Sequence, residues 1–188
     1  MIPHGNSVQT PTHRWATAAD LPALRTVMTL AIERLQQGFL TREQVAASHA
    51  VMGLDTQLVA DGTYLIVMLD GHSVGCGGWS RRATLYGGDH SIDLREPRLL
   101  DPATDAARIR AMYTHPDHAR RGIGRLILAV CEDAARAAGF ARAELMATLA
   151  GEPLYRACGY LEIERVDAPP VDGVAVPLIR MGKVLSAR

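Results

Sequence analysis

One segment constrains the fold of this chain more than any other: a strand-like run that ends in an arginine- and glycine-rich turn and continues directly into a long helix. The turn is His118-Ala119-Arg120-Arg121-Gly122-Ile123-Gly124, and we predict the helix over residues 122–138, with Gly139 ending it. The first N–H groups of a helix lack intrahelical partners and carry partial positive charge. The sequence therefore predicts an anion-binding site at the start of this helix.

The residues of the turn favour a phosphate as the anion. Gly122 and Gly124 remove side chains that would block access to the N–H groups, and three arginines add positive charge. The pattern is not a Walker loop, because no Gly-Lys-Ser/Thr follows, nor a dinucleotide fingerprint, because Ile127 occupies the place of the third glycine. The alternative that the two glycines only shape a strand-to-helix turn stays open.

The rest of the chain predicts alternating helices and strands. Helices are expected over residues 22–37, 41–52 and 153–157, and strands over 63–70, 73–80, 108–114, 141–147, 160–166 and 174–184, after a short first strand near Arg14. Thr41 and Gln44 form a capping-box pattern. In the strand over 108–114, Ile109, Ala111 and Tyr113 are expected on one face. Residues 81–107 show no clear period. This order predicts an α/β fold, a mixed sheet with helices on both faces.

Composition limits the function. The 188 residues, 48% of them hydrophobic, suit a single domain over residues 13–188, with residues 1–12 expected as a flexible tail. Twenty Lys and Arg balance twenty Asp and Glu, which argues against nucleic acid as a partner. No apolar run reaches the roughly 18 residues of a membrane span. The three separated cysteines suggest neither a disulfide framework nor a metal site, so we expect no metal and a reducing cytoplasm.

Two motifs resemble those of one family. Residues 112–125 resemble the central motif of the GNAT superfamily of N-acetyltransferases, whose signature is Arg/Gln-x-x-Gly-x-Gly/Ala, although Ala119 departs from it at the first position. Residues 153–160, Pro-Leu-Tyr-Arg-Ala-Cys-Gly-Tyr, are similar to the closing pattern of the family, in which a tyrosine faces the thioester sulfur. Tyr155 stands at that position. Thr148 stands where the family often has an asparagine.

The resemblance implies a mostly antiparallel central sheet with a splayed central strand pair, and acetyl-CoA (CoA) as acyl donor. The acceptor would be a primary amine of a small molecule or protein that attacks the thioester directly, while Tyr155 protonates the departing thiolate. A homodimer is left open. The residues expected to bind the donor are Met112, Tyr113, Thr114, Ala119, Arg120, Arg121, Gly122, Ile123, Gly124 and Arg125.

The resemblance leaves the general base and the acceptor undefined. Members of the family often place a glutamate where this chain has Arg108. Candidate substitutes, each better explained as an ordinary turn, strand or loop residue, are Glu144, His115, Asp89, His90 and Asp93. Near the end of the first helix, where the family tends to face its acceptor, are Glu33, Arg34 and Gln37.

Two other functions stay open. Arg108 gives some support to a non-catalytic acyl-CoA-binding regulatory module. Nucleic-acid binding through residues 41–52 has little support, because that helix offers only Arg42 and His49 against Glu43.

Overall fold

The computed structural model describes residues 10–185. Residues 1–9 of the predicted tail lie outside that range, and Thr12 already begins the first strand. The strands are β1 (Thr12–Trp15), β2 (Tyr64–Leu69), β3 (His72–Ser80), β4 (Ala107–Thr114), β5 (Arg142–Thr148), β6 (Leu161–Asp167) and β7 (Pro177–Val184). The helices are α1 (Leu21–Leu35), α2 (Arg42–Val51), α3 (Thr56–Ala60), α4 (Ile123–Ala137) and α5 (Glu152–Ala157). The predicted order is confirmed, with α3 as an unpredicted addition.

The predicted capping box begins α2. The Thr41 hydroxyl accepts a hydrogen bond from the N–H of Gln44, and the Gln44 side-chain oxygen accepts one from the N–H of Thr41. These two bonds satisfy donors that a helix start otherwise leaves free. They also fix where the loop after α1 ends and α2 begins. This loop contributes to the cavity described below.

The sheet has seven strands in the order β1-β2-β3-β4-β5-β7-β6. Every neighbouring pair is antiparallel except β4 and β5, which confirms the mostly antiparallel prediction. The parallel pairing joins only residues 107–109 to residues 143–145. Beyond Ile109, β4 stays paired with β3, and β5 stays paired with β7 as far as Thr148. The central strands therefore splay apart, as expected.

Helices cover both faces of the sheet. On one face α4 packs its buried Ile127, Leu128 and Cys131 into the larger core cluster. On the other face α1 packs its buried Leu24 and Ile32 into a second cluster. A third, smaller cluster joins α2 to β7. The two large clusters bury the sheet between them, so the gap between β4 and β5 leads from one covered face to the other.

A β-bulge in β4 makes one prediction wrong. Ile109 and Tyr113 do not share a face: Ile109 lies in the α4-side cluster and Tyr113 in the α1-side cluster. Ala111 lies between them with a φ of +50°, where the pairing with β3 shifts register. One extra residue reverses the alternation of the following side chains. The Tyr64 hydroxyl donates a 2.7 Å hydrogen bond to the Ala111 carbonyl and holds the bulge.

Residues 81–107 form a loop anchored beside α3. An isolated antiparallel bridge joins Arg82 to Leu99. The Arg110 side chain donates to the Asp55 carboxylate and, at 2.7 Å, to the carbonyl of Gly87. Arg110 and Asp55 are both buried, so this ion pair fixes the loop against β4.

Within residues 10–185, no helix has both the length and the apolar character required to cross a membrane. The same residues contain no group of three or more His, Cys, Asp or Glu side chains placed to hold a metal ion.

Candidate active site

A cavity of about 760 Å³ passes through the gap between β4 and β5. One end lies at the N-terminus of α4 and the other between the end of α1, the end of α2 and the loop at residues 85–87. Of the eleven residues predicted for the site, only Arg121 does not line it. Those that line it are Met112, Tyr113, Thr114, Ala119, Arg120, Gly122, Ile123, Gly124, Arg125 and Tyr155.

The turn before α4 presents free N–H groups and free positive charge. Gly122 is the N-cap residue, with a φ of +83° and no side chain to satisfy the first N–H groups of the helix. Arg120 precedes it at a φ of +63°, a region that non-glycine residues rarely adopt. Arg120, Arg121 and Arg125 are exposed and form no ion pair within residues 10–185. The turn can therefore bind a phosphate through both backbone and side chains.

Packing against α5 requires a glycine at position 124, a requirement that the sequence did not reveal. A Cβ atom at Gly124 would lie 2.8 Å from Cδ2 of Leu154 in α5, which is closer than carbon atoms approach. At Gly122 an added Cβ would meet nothing within 4 Å. The small size of Gly124 therefore allows α5 to approach α4, whereas Gly122 supplies the left-handed backbone of the turn.

The splayed part of β4 directs a backbone donor into the gap. The N–H of His115 donates a 2.9 Å hydrogen bond to Val74 of β3. Backbone N–H groups alternate in direction along a strand, so that of Thr114 points away from β3, toward β5. Since β5 pairs with β4 only as far as Leu145, this donor faces the cavity instead of a strand.

Tyr155 lies in α5 beside this gap. Its side chain is 8% exposed, and its ring packs edge-on against Tyr160 with ring centroids 6.0 Å apart. Its hydroxyl makes no hydrogen bond to the described part of the chain. Burial raises the pKa of Tyr155 well above its usual value, so the phenol keeps its proton at neutral pH. A protonated hydroxyl that lines the cavity can act as a general acid.

Thr148 closes β5 at the same place. Its hydroxyl accepts a 3.1 Å hydrogen bond from the N–H of Gly151, and the carbonyl of Thr148 accepts a second bond from the same N–H. These bonds turn the chain from β5 into α5 and set the position of Tyr155. Thr148 itself lines the cavity, at the position where the resemblance suggests an asparagine.

The candidate bases do not reach the cavity. The Glu144 carboxylate accepts 2.7 Å hydrogen bonds from both Arg108 and Arg180. Arg108 therefore serves in the strand as an ion-pair partner of Glu144. Asp89 accepts hydrogen bonds from Thr56 and Arg95. The remaining candidates are also outside the lining: His90 bonds to the Ala50 carbonyl, His115 accepts from the N–H of Asp117, and Asp93 lies in a short 3-10 turn.

The residues at the end of the cavity beside α1 differ from those expected to face an acceptor. Arg34 is paired with Asp117 at 2.9 Å, and neither Glu33 nor Gln37 lines the cavity. The α1 residue that does is Gln36, which is 3% exposed. The helical period could have found it, because Gln36 follows the buried Ile32 by four residues and so continues the packed face of α1.

Comparison with known proteins gives the same fold. The protein-family model described as "Acetyltransferase (GNAT) family" matches residues 28–160. No curated protein matches the chain. Among solved structures, a GCN5-related N-acetyltransferase from Rhodopseudomonas palustris has a TM-score of 0.67 at 20% identity, covering 96% of this chain and 99% of that one.

Two further structures share the architecture at low identity. The ribosomal-protein-S18-alanine N-acetyltransferase from Escherichia coli has a TM-score of 0.57 at 19% identity, covering 95% of this chain and 96% of that one. The paia N-acetyltransferase from Thermoplasma acidophilum, solved in complex with coenzyme A, has a TM-score of 0.62 at 14% identity, covering 93% and 99%. At these identities the structural likeness shows the fold alone.

Proposed function

Because the chain belongs to the acetyltransferase (GNAT) family, we propose that it transfers an acetyl group from acetyl-CoA to a primary amine of a small molecule or protein. One observation carries the proposal: a single cavity joins the uncapped N-terminus of α4, the free N–H group of the splayed strand and the Tyr155 hydroxyl. These are the three groups that a thioester donor needs. The solved complex of the Thermoplasma protein with coenzyme A supports acetyl-CoA as the donor.

The proposed binding mode follows the cavity. The pyrophosphate accepts hydrogen bonds from the N–H groups at Gly122 and Ile123, with Arg120 and Arg125 beside it. The pantetheine arm lies in the gap and bonds to the free N–H group of β4, as a missing strand would. The thioester carbonyl then lies among backbone donors that stabilise the charge developing on its oxygen.

The proposed reaction is a direct attack. The neutral amine nitrogen forms a bond to the thioester carbon, and the bond from that carbon to sulfur breaks. Tyr155 gives its proton to the departing sulfur and regains one from water or from the new amide nitrogen. The products are an N-acetylated amine and free CoA.

Turnover is the direct test of this function. Purified protein is incubated with acetyl-CoA and panels of alkylamines, arylamines, amino acids and short peptides. Release of the CoA thiol and a matching acetylated product by mass spectrometry are expected for at least one panel. Acetyl-CoA with protein but without amine is the control for hydrolysis.

A second candidate function is a non-catalytic acyl-CoA-binding module. It is favoured by Arg108, because the carboxylate beside it in the sheet, Glu144, is neutralised by two arginines and is not available as a base. Tight acetyl-CoA binding with no acetylated product from any amine panel would support this candidate over the enzyme.

We also propose that the protein works in a reducing cytoplasm. In support, Cys76 and Cys131 are buried as free thiols and Cys158 is half-buried and free. Acetyl-CoA, the proposed donor, is a thioester whose product is itself a free thiol.

A further inference from the structure

The acceptor end of the cavity is apolar. It lies on the face of the sheet covered by α1 and α2, opposite the phosphate-binding turn. Its wall is formed by Leu35, Phe39, Met52, Tyr86, Met146 and Leu178. A surface of this kind favours a ligand with a hydrophobic body, because burying apolar area is worth about 25 cal/mol for each Å² removed from water.

The charges along the cavity are those of arginines. Arg120 and Arg125 stand at the phosphate end, where they would be used by the donor. Arg110 also lines the cavity, bonded to the Gly87 carbonyl at the end beside α1, and its charge is balanced by the buried Asp55. An ammonium ion moving into the apolar end would lose hydration and gain no partner of opposite charge, and desolvation of this kind lowers the pKa of an amine.

A buried amide side chain also stands at the apolar end. Gln36 is buried, its amide nitrogen donates a 3.3 Å hydrogen bond to the sulfur of Met52, and its amide oxygen has no partner within residues 10–185. An amide oxygen accepts an N–H hydrogen bond but does not take up a proton near neutral pH. Gln36 therefore supplies no general base at this end of the cavity.

From these observations we propose that the acceptor is a weakly basic amine on an apolar, aryl-sized body, bound in its uncharged form. This inference rests on the proposed acetyl transfer and narrows its substrate class. A lysine side chain, with a pKa near 10.4, is almost wholly protonated at neutral pH, whereas an arylamine is neutral and keeps its lone pair for attack. After attack, the nitrogen of the amine carries one proton more than the neutral amide holds. This proton passes to water, because the carboxylates near the sheet are already paired with arginines.

Two isomeric amines give a matched test. p-Toluidine and benzylamine have the same atoms and nearly the same size, but at about pH 7 the first is neutral and the second is protonated. We expect kcat/KM for p-toluidine to exceed that for benzylamine by about tenfold or more, which corresponds to about 1.4 kcal/mol. Spermidine, a flexible polycation, is expected to be the poorest acceptor of the three.

A substitution at the cavity mouth tests the electrostatic argument separately. Phe39 is 51% exposed, so Phe39→Glu is expected to fold, with Phe39→Gln as a neutral control of similar size. The new carboxylate should raise kcat/KM for benzylamine several-fold over the Gln variant. For p-toluidine, kcat/KM should be nearly the same in the two variants. Melting curves of both variants check that each is folded.

The outcomes separate this inference from the proposed function. Efficient acetylation of benzylamine or spermidine with p-toluidine inert would overturn the inference and leave the acetyltransferase standing. An equal response of both amines to Phe39→Glu would also overturn it. Acetyl-CoA binding with no transfer to any of the three amines, nor to the wider panels, would overturn the proposed function itself.

Discussion

Tyr155 is the single side chain on which the proposed chemistry depends most. It is held by a short helix, its ring packs against Tyr160, and its hydroxyl lines the cavity without a partner in the described chain. Its raised pKa means that it donates a proton more reluctantly than a free phenol but never lacks one at neutral pH. The thiolate of CoA is a good leaving group, so a weak acid suffices.

Replacing Tyr155 by phenylalanine should separate chemistry from binding. If the hydroxyl acts only on the departing sulfur, Tyr155→Phe lowers the single-turnover rate by about 10²- to 10⁴-fold and leaves acetyl-CoA affinity nearly unchanged. Rates are measured with the best acceptor from the amine panels, and affinity by isothermal titration.

Tyr160→Phe is the matched control. Tyr160 packs against the same ring but does not line the cavity, so this variant should keep the parental rate per folded molecule. If Tyr155→Phe also keeps that rate and loses only melting temperature, Tyr155 is a packing residue, and positioning by the backbone would have to account for the transfer.

Among the larger elements, the turn into α4 stores backbone strain where the donor is proposed to bind. Four non-glycine residues of the described chain have a positive φ: Asp70, Ala111, Arg120 and Asp172. Two of them, Ala111 and Arg120, line the cavity. Strain of this kind persists where the surrounding structure holds it, and here it aims the N–H groups of the turn and of β4.

Arg120→Gly should relieve the strain and remove the charge. The left-handed region costs a non-glycine residue about 1–2 kcal/mol, and the greater unfolded-state entropy of glycine costs about 0.5–1 kcal/mol, so the free energy of unfolding should rise by no more than about 1.5 kcal/mol. Acetyl-CoA affinity should fall about tenfold, because one charge-assisted phosphate contact is lost. Denaturant unfolding and isothermal titration measure the two effects.

Asp172→Gly controls for the change in backbone. Asp172 is exposed, has a φ of +50° and lies in the turn between β6 and β7, away from the cavity. It should show a similarly small stability change and unaltered affinity. Equal affinity in both variants would mean that Arg120 does not contact the donor.

Local patterns in the sequence were enough to predict most elements, and they failed where distant residues decide the geometry. Thr41 and Gln44 predict the start of α2, because both partners of the capping box lie within one turn. The bulge at Ala111 was not predictable, because alanine has no preference for positive φ and the bond that holds the bulge comes from Tyr64, forty-seven residues earlier. Long-range contacts also decide which charged groups are free: Glu144 is a candidate base in the sequence, and its contacts with Arg108 and Arg180 exclude it.

The site was predictable to the same extent. The turn before α4, proposed to bind phosphate, and Tyr155 lie in short contiguous motifs, and the structure brings them to one cavity. The acceptor wall is assembled from five separate segments, contributing among others Gln36, Met52, Tyr86, Met146 and Leu178. No short motif can encode such a set, which is why the acceptor could not be inferred from sequence.

For the molecule as a whole, binding of acetyl-CoA should stabilise the fold. A ligand that binds only the native state adds RT ln(1 + [L]/Kd), which is about 2.7 kcal/mol when its concentration is about 100 times Kd. The melting temperature is measured with acetyl-CoA and with an acetylated thiol that lacks the nucleotide. The full donor should give the larger shift, and no shift at saturating acetyl-CoA would contradict the assignment of the cavity.

The short contact between β4 and β5 has a consequence for how the chain folds and opens. Within residues 10–185, backbone pairing joins the half-sheet β1–β4 to the half-sheet β5, β7 and β6 through only three residue pairs, each closing a loop of thirty-six residues. Closing this loop costs conformational entropy, and three residue pairs offset little of that cost. We therefore expect the pairing between β4 and β5 to form late in folding. In the native state it should also open first, as a local unfolding event visible in the hydrogen exchange of β5 amides. A donor bound in the gap would contact both half-sheets and hold them together. It should therefore slow amide hydrogen exchange in both half-sheets at once.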